Sequence, residues 1–323
     1  MAIDIILFIL GFAFLIQGAT ILVDGSASIA KRFHISNLVI GLTIVAFGTS
    51  APELIVSAMA SFKGSADIAF GNIIGSNISN TLLILGVAAL IYPLMIKRPT
   101  VNRQIPFSLF SILLVGILVN DFLFYKADFN ILSRVDGLIL IFFFAIFIYY
   151  TFNTDKTKEG LIESVSPNEI KGYSVILSIV MIIGGLIGLF LGGRWIVNGA
   201  VQIAVWFGLS QALIGLTIVA IGTSLPELAA SAMAAYRKQA DIAIGNVVGS
   251  NIFNLLWVLG VSSIIRPINY NFSLNLDMIL LLAVTVLLLF LIYIGKKNIL
   301  GKIEGGVLLI LYISYMIFLG WRG

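Results

Sequence analysis

Long apolar stretches separated by short polar connections set the pattern of this chain. A bilayer core takes about 20 apolar residues per helix. Ten stretches qualify, at roughly 3–23, 36–62, 67–92, 105–120, 134–152, 173–198, 210–236, 241–265, 275–294 and 302–320. They predict an all-α polytopic membrane protein of about ten transmembrane helices, the fourth being the shortest. The first runs apolar from Ile5 to Leu22 with no small-residue cleavage signal after it, so it reads as a span rather than a removed leader. The most polar connection, 153–172, holds Asp155, Lys156, Lys158, Glu159, Glu163, Glu169 and Lys171. It reads as a cytoplasmic linker between two five-helix units, 1–152 and 173–323.

The two units are copies. Displaced by 174 residues, Gly18–Val87 falls on Gly192–Val261 without a gap, and 39 of the 70 pairs are identical. IGLTIVAFGTSAPEL (40–54) meets IGLTIVAIGTSLPEL (214–228), and ADIAFGNIIGSNISN (66–80) meets ADIAIGNVVGSNIFN (240–254). Ungapped identity at this level marks internal duplication. Five spans is an odd number, so the second copy enters the membrane from the opposite side, the inverted-repeat plan of secondary transporters.

Composition agrees. The chain is 60% hydrophobic and 11% charged, with a mean hydropathy of +1.10. A soluble domain carries about 25% charged residues, which excludes an ordinary cytoplasmic enzyme, a nucleic-acid binder and a disordered chain. There is no cysteine and one histidine, His34, which excludes disulfides, thiolate metal sites and multi-histidine sites. The net charge of +4 needs no polyanionic partner, because Lys and Arg in such a chain set topology. With both termini outside, 13 of the 19 Lys and Arg residues fall on the cytoplasmic side and 6 outside. The positive-inside rule favours that orientation in a cell membrane.

Nearly all acidic residues lie in loops or near span ends. Glu53 and Glu227 lie deep in apolar spans and are repeat mates. A charge at bilayer depth costs roughly 2.5–3.5 kcal/mol on insertion scales and marks function by default. Each glutamate follows a proline, in Gly48-Thr49-Ser50-Ala51-Pro52-Glu53 and Gly222-Thr223-Ser224-Leu225-Pro226-Glu227. Proline lacks an N–H and distorts the turn before it, which predicts freed carbonyls at Gly48 and Gly222 and, one turn earlier, at Ala46 and Ala220. Thr49, Glu53 and the adjacent Ser50, with their mates, then offer hydroxyl, carboxylate and carbonyl oxygens. Hard cations such as Na⁺ and Ca²⁺ take oxygen ligands. The third span of each half supplies an opposing wall, with Ser76 and Asn80 one turn apart and Asn77 beside Ser76. The mates are Ser250, Asn254 and Asn251. Gly71, Gly75, Gly245 and Gly249 permit close helix approach. Asp67 and Asp241 read as caps or mouth residues of these spans.

The paired GTSAPEL and GTSLPEL, each followed by GNxxGSNxxN, resemble the sodium/calcium exchangers of the cation/calcium antiporter superfamily, prokaryotic type. The resemblance implies two inverted five-helix repeats, with the first helix of each forming a sliding pair. It implies antiport of Na⁺ and Ca²⁺ as transported ions, with no cofactor and no obligatory protein partner. It also implies Glu53 and Glu227 as central ligands, Thr49, Ser50, Thr223 and Ser224 above and below them, the carbonyls of Ala46 and Ala220, and Ser76, Asn80 and Ser250. Asn254 stands where some relatives carry aspartate, so the matched site holds two carboxylates. Two carboxylates balance one Ca²⁺ but not the three Na⁺ that the family implies, so exchange is expected to be electrogenic. Proton/calcium and potassium-dependent exchange are the near alternatives. An intramembrane enzyme using the Glu53 and Glu227 pair is a remote one, since no HExxH or GxSxG motif accompanies them.

Overall fold

The computed structural model describes residues 2–98, 100–121, 130–154, 172–206, 220–294 and 298–322. The first half contains α1 (Ala2–Phe33), α2 (Asn37–Thr49), α3 (Ala51–Lys63), α4 (Ala66–Ile91), α5 (Thr100–Leu118) and α6 (Arg134–Thr154). The second contains α7 (Val175–Trp206), α8 (Ala220–Thr223), α9 (Leu225–Tyr236), α10 (Ala240–Ile265), α11 (Asn275–Ile294) and α12 (Lys302–Arg322). Among the described residues, 8 helices are long and apolar enough to cross a membrane, or 9 with α2 and α3 taken as one bent span. The remaining expected span, 210–236, begins in 207–219, outside the described residues, as does most of the 153–172 linker.

Four short strands report how the halves are inserted. These are β1 (Leu94–Met95), β2 (Ile131–Leu132), β3 (Ile268–Asn269) and β4 (Ile299–Leu300). β1, after α4, pairs antiparallel with β4, which lies between α11 and α12. β3, after α10, pairs with β2, which lies between α5 and α6. Each pair joins the third-to-fourth connection of one repeat to the fourth-to-fifth connection of the other. Successive connections lie on opposite membrane faces, so repeats inserted the same way round could not form either pair. Inverted repeats form both. Lys97–Asp241 at 2.8 Å falls on the β1/β4 face, and the Arg266 bond to the Phe62 carbonyl at 3.2 Å falls on the β2/β3 face. Asp241 thus serves as an ion-pair partner in the first turn of α10, where Gln239 is the N-cap, and Ser65 rather than Asp67 is the N-cap of α4.

α1 and α7 pack antiparallel along a glycine seam. Gly11, Gly18 and Gly25 recur every seven residues, as do their mates Gly185, Gly192 and Gly199. A Cβ on Gly18 would come within 2.8 Å of the Gly185 carbonyl oxygen, and one on Gly185 within 2.7 Å of the Gly18 oxygen. Gly11 and Gly192 meet the same way, at 2.9 and 2.7 Å. Backbone thus lies on backbone, the contact that small residues permit in membranes. Gly245 and Gly249 likewise let α10 close on α2, with an added Cβ 2.8 Å from the Leu38 oxygen and 2.7 Å from that of Leu42.

A candidate cation site between the repeats

The helix breaks where proline predicts. α2 and α3 meet at an angle of 47° around Ser50, with Pro52 in the first turn of α3. Pro52 has no N–H to give to the preceding turn, so the break falls just before it. Ser224 and Pro226 repeat the arrangement at the start of α9. Each break puts a glutamate in the first turn of a new helix, Glu53 in α3 and Glu227 in α9, and both are 1% exposed.

The carboxylates face each other across the repeat interface. Ser50 donates to Glu227 Oε1 at 3.0 Å, so the break of the first repeat touches the glutamate of the second. On the other side Ser224 donates to Ser76 at 3.4 Å, and Ser76 donates to Glu53 Oε1 at 3.3 Å. Thr223 and Thr49 lie within hydrogen-bonding reach of Glu53 and Glu227 respectively. The set is not fully symmetric, because Ser250, the mate of Ser76, has no hydrogen-bond partner.

The opposing wall comes from α4 and α10. Each contains a π-helical turn at matched positions, Asn80–Ile84 and Phe253–Val258. Such turns recur at functional sites. Asn80 donates to Asn251 Oδ1 at 3.0 Å, and Asn254 donates to Asn77 Oδ1 at 3.0 Å. The four amides form a cross-repeat lattice that holds the two helices in register. Each donation leaves the amide oxygen of Asn80 and Asn254 without a partner.

Among the described residues, five buried oxygens at this interface find no donor: Glu53 Oε2, Glu227 Oε2, Asn80 Oδ1, Asn254 Oδ1 and Ser250 Oγ. Buried polar atoms are nearly always satisfied, and each exception calls for an explanation. Four of the five are acceptor-only oxygens when the carboxylates are ionised, a donor set that a hard cation would fit. Among the described residues no three His, Cys, Asp or Glu residues cluster. The interface therefore offers two carboxylates and otherwise neutral oxygens.

One expected ligand differs in the structure. The Ala46 carbonyl is not freed by Pro52, because it accepts from the Ser50 N–H at 3.0 Å and from the Thr49 hydroxyl at 3.4 Å. The bend is absorbed at Ser50, one residue too late to release Ala46. In the second repeat the Ser224 N–H bonds the Ile221 carbonyl at 3.1 Å instead of that of Ala220. Two residues that the motif contains but whose role its spacing does not show, Asn72 and Asn246, are bonded into the site. Asn72 donates to the Glu53 carbonyl and to Ser57, at 3.4 and 3.0 Å. Asn246 donates to the Glu227 carbonyl and to Ser231, at 3.3 and 2.9 Å.

The long glycine-seamed pair is placed unevenly over this site. α1 and α7 both pack against α9, and Gly193 of α7 lies over Leu225 and Pro226. Asp24 of α1 reaches Arg237, just past α9, at 3.5 Å. By contrast, Ile55 and Met59 of α3 are exposed, while their mates Ala229 and Met233 pack against the core. The pair thus covers α9 and leaves this flank of α3 uncovered, while Glu53 and Glu227 are equally buried.

Inverted membrane repeats with paired buried carboxylates between them define a secondary transporter for cations. The model of the family described as sodium/calcium exchanger protein matches residues 3–153 and 177–321. The chain belongs to that family, whose members are cation/calcium antiporters. It is 38% identical to the putative antiporter CaxA of Alkalimonas amylolytica over 99% of both chains. It is 29% identical to the sodium/calcium exchanger MaX1 of Methanosarcina acetivorans over 98% of both. Structures of the sodium-calcium exchanger NCX_Mj superpose with a TM-score of 0.81 at 34% identity over 98% of both chains, in crystals soaked with Na⁺ and Ca²⁺. These relatives are antiporters and exchangers, not enzymes.

Proposed function

We propose that this protein exchanges Na⁺ for Ca²⁺ across the cell membrane by alternating access, with both ions bound between the repeats. The observation that carries the reading is the set of orphaned buried oxygens around Glu53 and Glu227. Thr49, Ser50, Thr223, Ser224, Ser76, Asn80, Ser250 and Asn254 surround the two carboxylates as ligands. The Ala220 carbonyl is a further candidate, and that of Ala46 joins only if the Thr49 hydroxyl turns away from it. Two negative charges balance one Ca²⁺, and hydroxyl and amide oxygens complete a shell of 6–8 without adding charge.

The uneven placement of α1 and α7 supports alternating access. Sliding this pair from α9 towards α3 would cover α3 and uncover α9, and the near-symmetry of the repeats supplies two comparable resting places. An empty site with two charges opposes that passage, because a doubly negative cavity is costly in a low dielectric. A site loaded with cations permits it. With the β1/β4 face cytoplasmic, by the Lys and Arg bias, both termini lie outside and the uncovered α3 leads from the site to the outer face.

The test is ⁴⁵Ca²⁺ uptake into sodium-loaded proteoliposomes, with external Na⁺, K⁺ and pH varied in turn. Uptake that follows the outward Na⁺ gradient at equal pH on both sides is expected. Uptake that follows only a proton gradient would replace Na⁺ by H⁺ as the coupling ion.

A further inference from the structure

Asn72 and Asn246 make one contact beyond those to their own repeat. The Thr223 hydroxyl donates to Asn72 Oδ1 at 3.4 Å, and the Thr49 hydroxyl donates to Asn246 Oδ1 at 3.0 Å. Each asparagine thus holds the backbone of its own glutamate with its amide hydrogens and takes a hydroxyl proton from the opposite repeat with its amide oxygen. The two sets are repeat mates, and Asn246 is fully buried. A threonine hydroxyl has one proton and two lone pairs. It can donate that proton to the nearby glutamate, or turn it away and present its lone pairs to a cation. Turning it away inside a buried site requires a second acceptor. For Thr49 the Asn246 oxygen at 3.0 Å is nearer than the Ala46 carbonyl at 3.4 Å, and for Thr223 the Asn72 oxygen at 3.4 Å is an acceptor besides Glu53.

We infer that Asn72 and Asn246 are positioning residues for cation binding: each accepts the hydroxyl proton of the opposite repeat's threonine, so that Thr223 and Thr49 face the ion with lone pairs. The inference rests on the reading of Thr49 and Thr223 as ligands. Neither asparagine touches the ion. Because each links its own glutamate to the other repeat's threonine, the two halves of the ligand shell are held in one register.

The test is a set of four double-mutant cycles read as equilibrium ⁴⁵Ca²⁺ binding to the purified full chain in detergent. Asn72→Ala and Asn246→Ala are each combined with Thr223→Val and with Thr49→Val. Loss of one such hydrogen bond weakens binding by about three- to tenfold. If each asparagine acts through its threonine, Asn72→Ala weakens binding far less once Thr223→Val is present, and Asn246→Ala far less once Thr49→Val is present. The crossed combinations, Asn72→Ala with Thr49→Val and Asn246→Ala with Thr223→Val, should multiply. Multiplicative effects in all four cycles would overturn the inference and leave the threonines as ligands. Threonine variants that bind Ca²⁺ like the wild type would overturn both the inference and the ligand reading beneath it. Should Asn72→Ala fail to fold, Asn72→Leu, which fills the same space without an oxygen acceptor, takes its place in the same cycle with the same expectation.

Discussion

The Ser50 hydroxyl donates to Oε1 of Glu227 over 3.0 Å, tying the helix break of one repeat to the carboxylate of the other. The bond leaves Oε2 of the same carboxylate with no donor, as Oε2 of Glu53 is left. Each glutamate is thus half held and half free.

That half-free state sets the first prediction. Gln at position 53 or 227 keeps the shape and the accepting oxygen but removes one of two negative charges. Calcium exchange should fall to near background for either variant. Thermal unfolding in detergent should not occur earlier, because a buried charge is costly and its removal is not. Normal exchange by a well-folded Glu53→Gln protein would take that carboxylate out of the site.

The glycine seam yields a contrast between adjacent residues. A Cβ at Gly185 would meet the Gly18 oxygen at 2.7 Å, whereas one at Gly184 meets only Ile21 Cδ1 at 3.8 Å. Gly185→Ala should force α1 from α7 and destabilise by about 1–3 kcal/mol, with slower exchange. Gly184→Ala should be neutral or slightly stabilising, since alanine is the better helix former. Melting temperatures and uptake rates of the two variants decide it, and equal behaviour would mean that the seam is not in contact.

Much of this was legible in the sequence, for identifiable reasons. Duplication is visible as identity, and a glutamate after a proline in an apolar span has few other uses. The seam was not read, because seven-residue glycine spacing shows a stripe but not its partner. Asn72 and Asn246 stand in a quoted motif, yet their bonds run to backbone and to the opposite repeat, which no local spacing encodes. Ala46 was expected to be free because the proline's distortion was carried back past Gly48, whereas the Ser50 N–H still reaches the Ala46 carbonyl. The strand pairs could not be read from two-residue segments.

Orientation is open to a direct test. The chain has no cysteine, so Lys158→Cys introduces a single one in the linker. A membrane-impermeant maleimide should label it only from the cytoplasmic side. Labelling from outside would reverse the assignment of the β1/β4 face and turn the uncovered α3 inward.

The pairing of Asp24 with Arg237 has no equivalent at the other end of the pair. The mates of these two residues are Asn198 and Lys63, which cannot form an ion pair. If the pair slides as proposed, the resting place along α9 is favoured by one contact that its counterpart along α3 would lack. An exposed pair contributes about 0.2–1 kcal/mol, so Asp24→Asn should shift the balance by up to about fivefold. In a Met233→Cys background, labelling from the β1/β4 face should quicken by that factor, and less so in high salt. An unchanged labelling rate at low salt would show that the ion pair does not bias the two states.

The last prediction concerns charge count. Asn80 and Asn254 present amide oxygens without donors to a site that already holds two carboxylates. Asn80 lies one helical turn from Ser76, which bonds Glu53. Asn254→Asp replaces an amide with a third carboxyl group at the repeat-related position. Like charges sharing a site cannot all stay ionised when it is empty, so the extra group holds a proton until cations displace it. Binding then releases a proton, and affinity becomes dependent on pH. Calcium exchange should survive the substitution but decline more steeply on acidification than in the wild type. Asn80→Asp should behave alike, since the asparagine lattice places both residues equivalently. The measurement is exchange against pH at fixed Na⁺ for the three proteins. Profiles that overlay would place both amide oxygens outside the ion shell, leaving Glu53, Glu227 and the hydroxyl residues as its members.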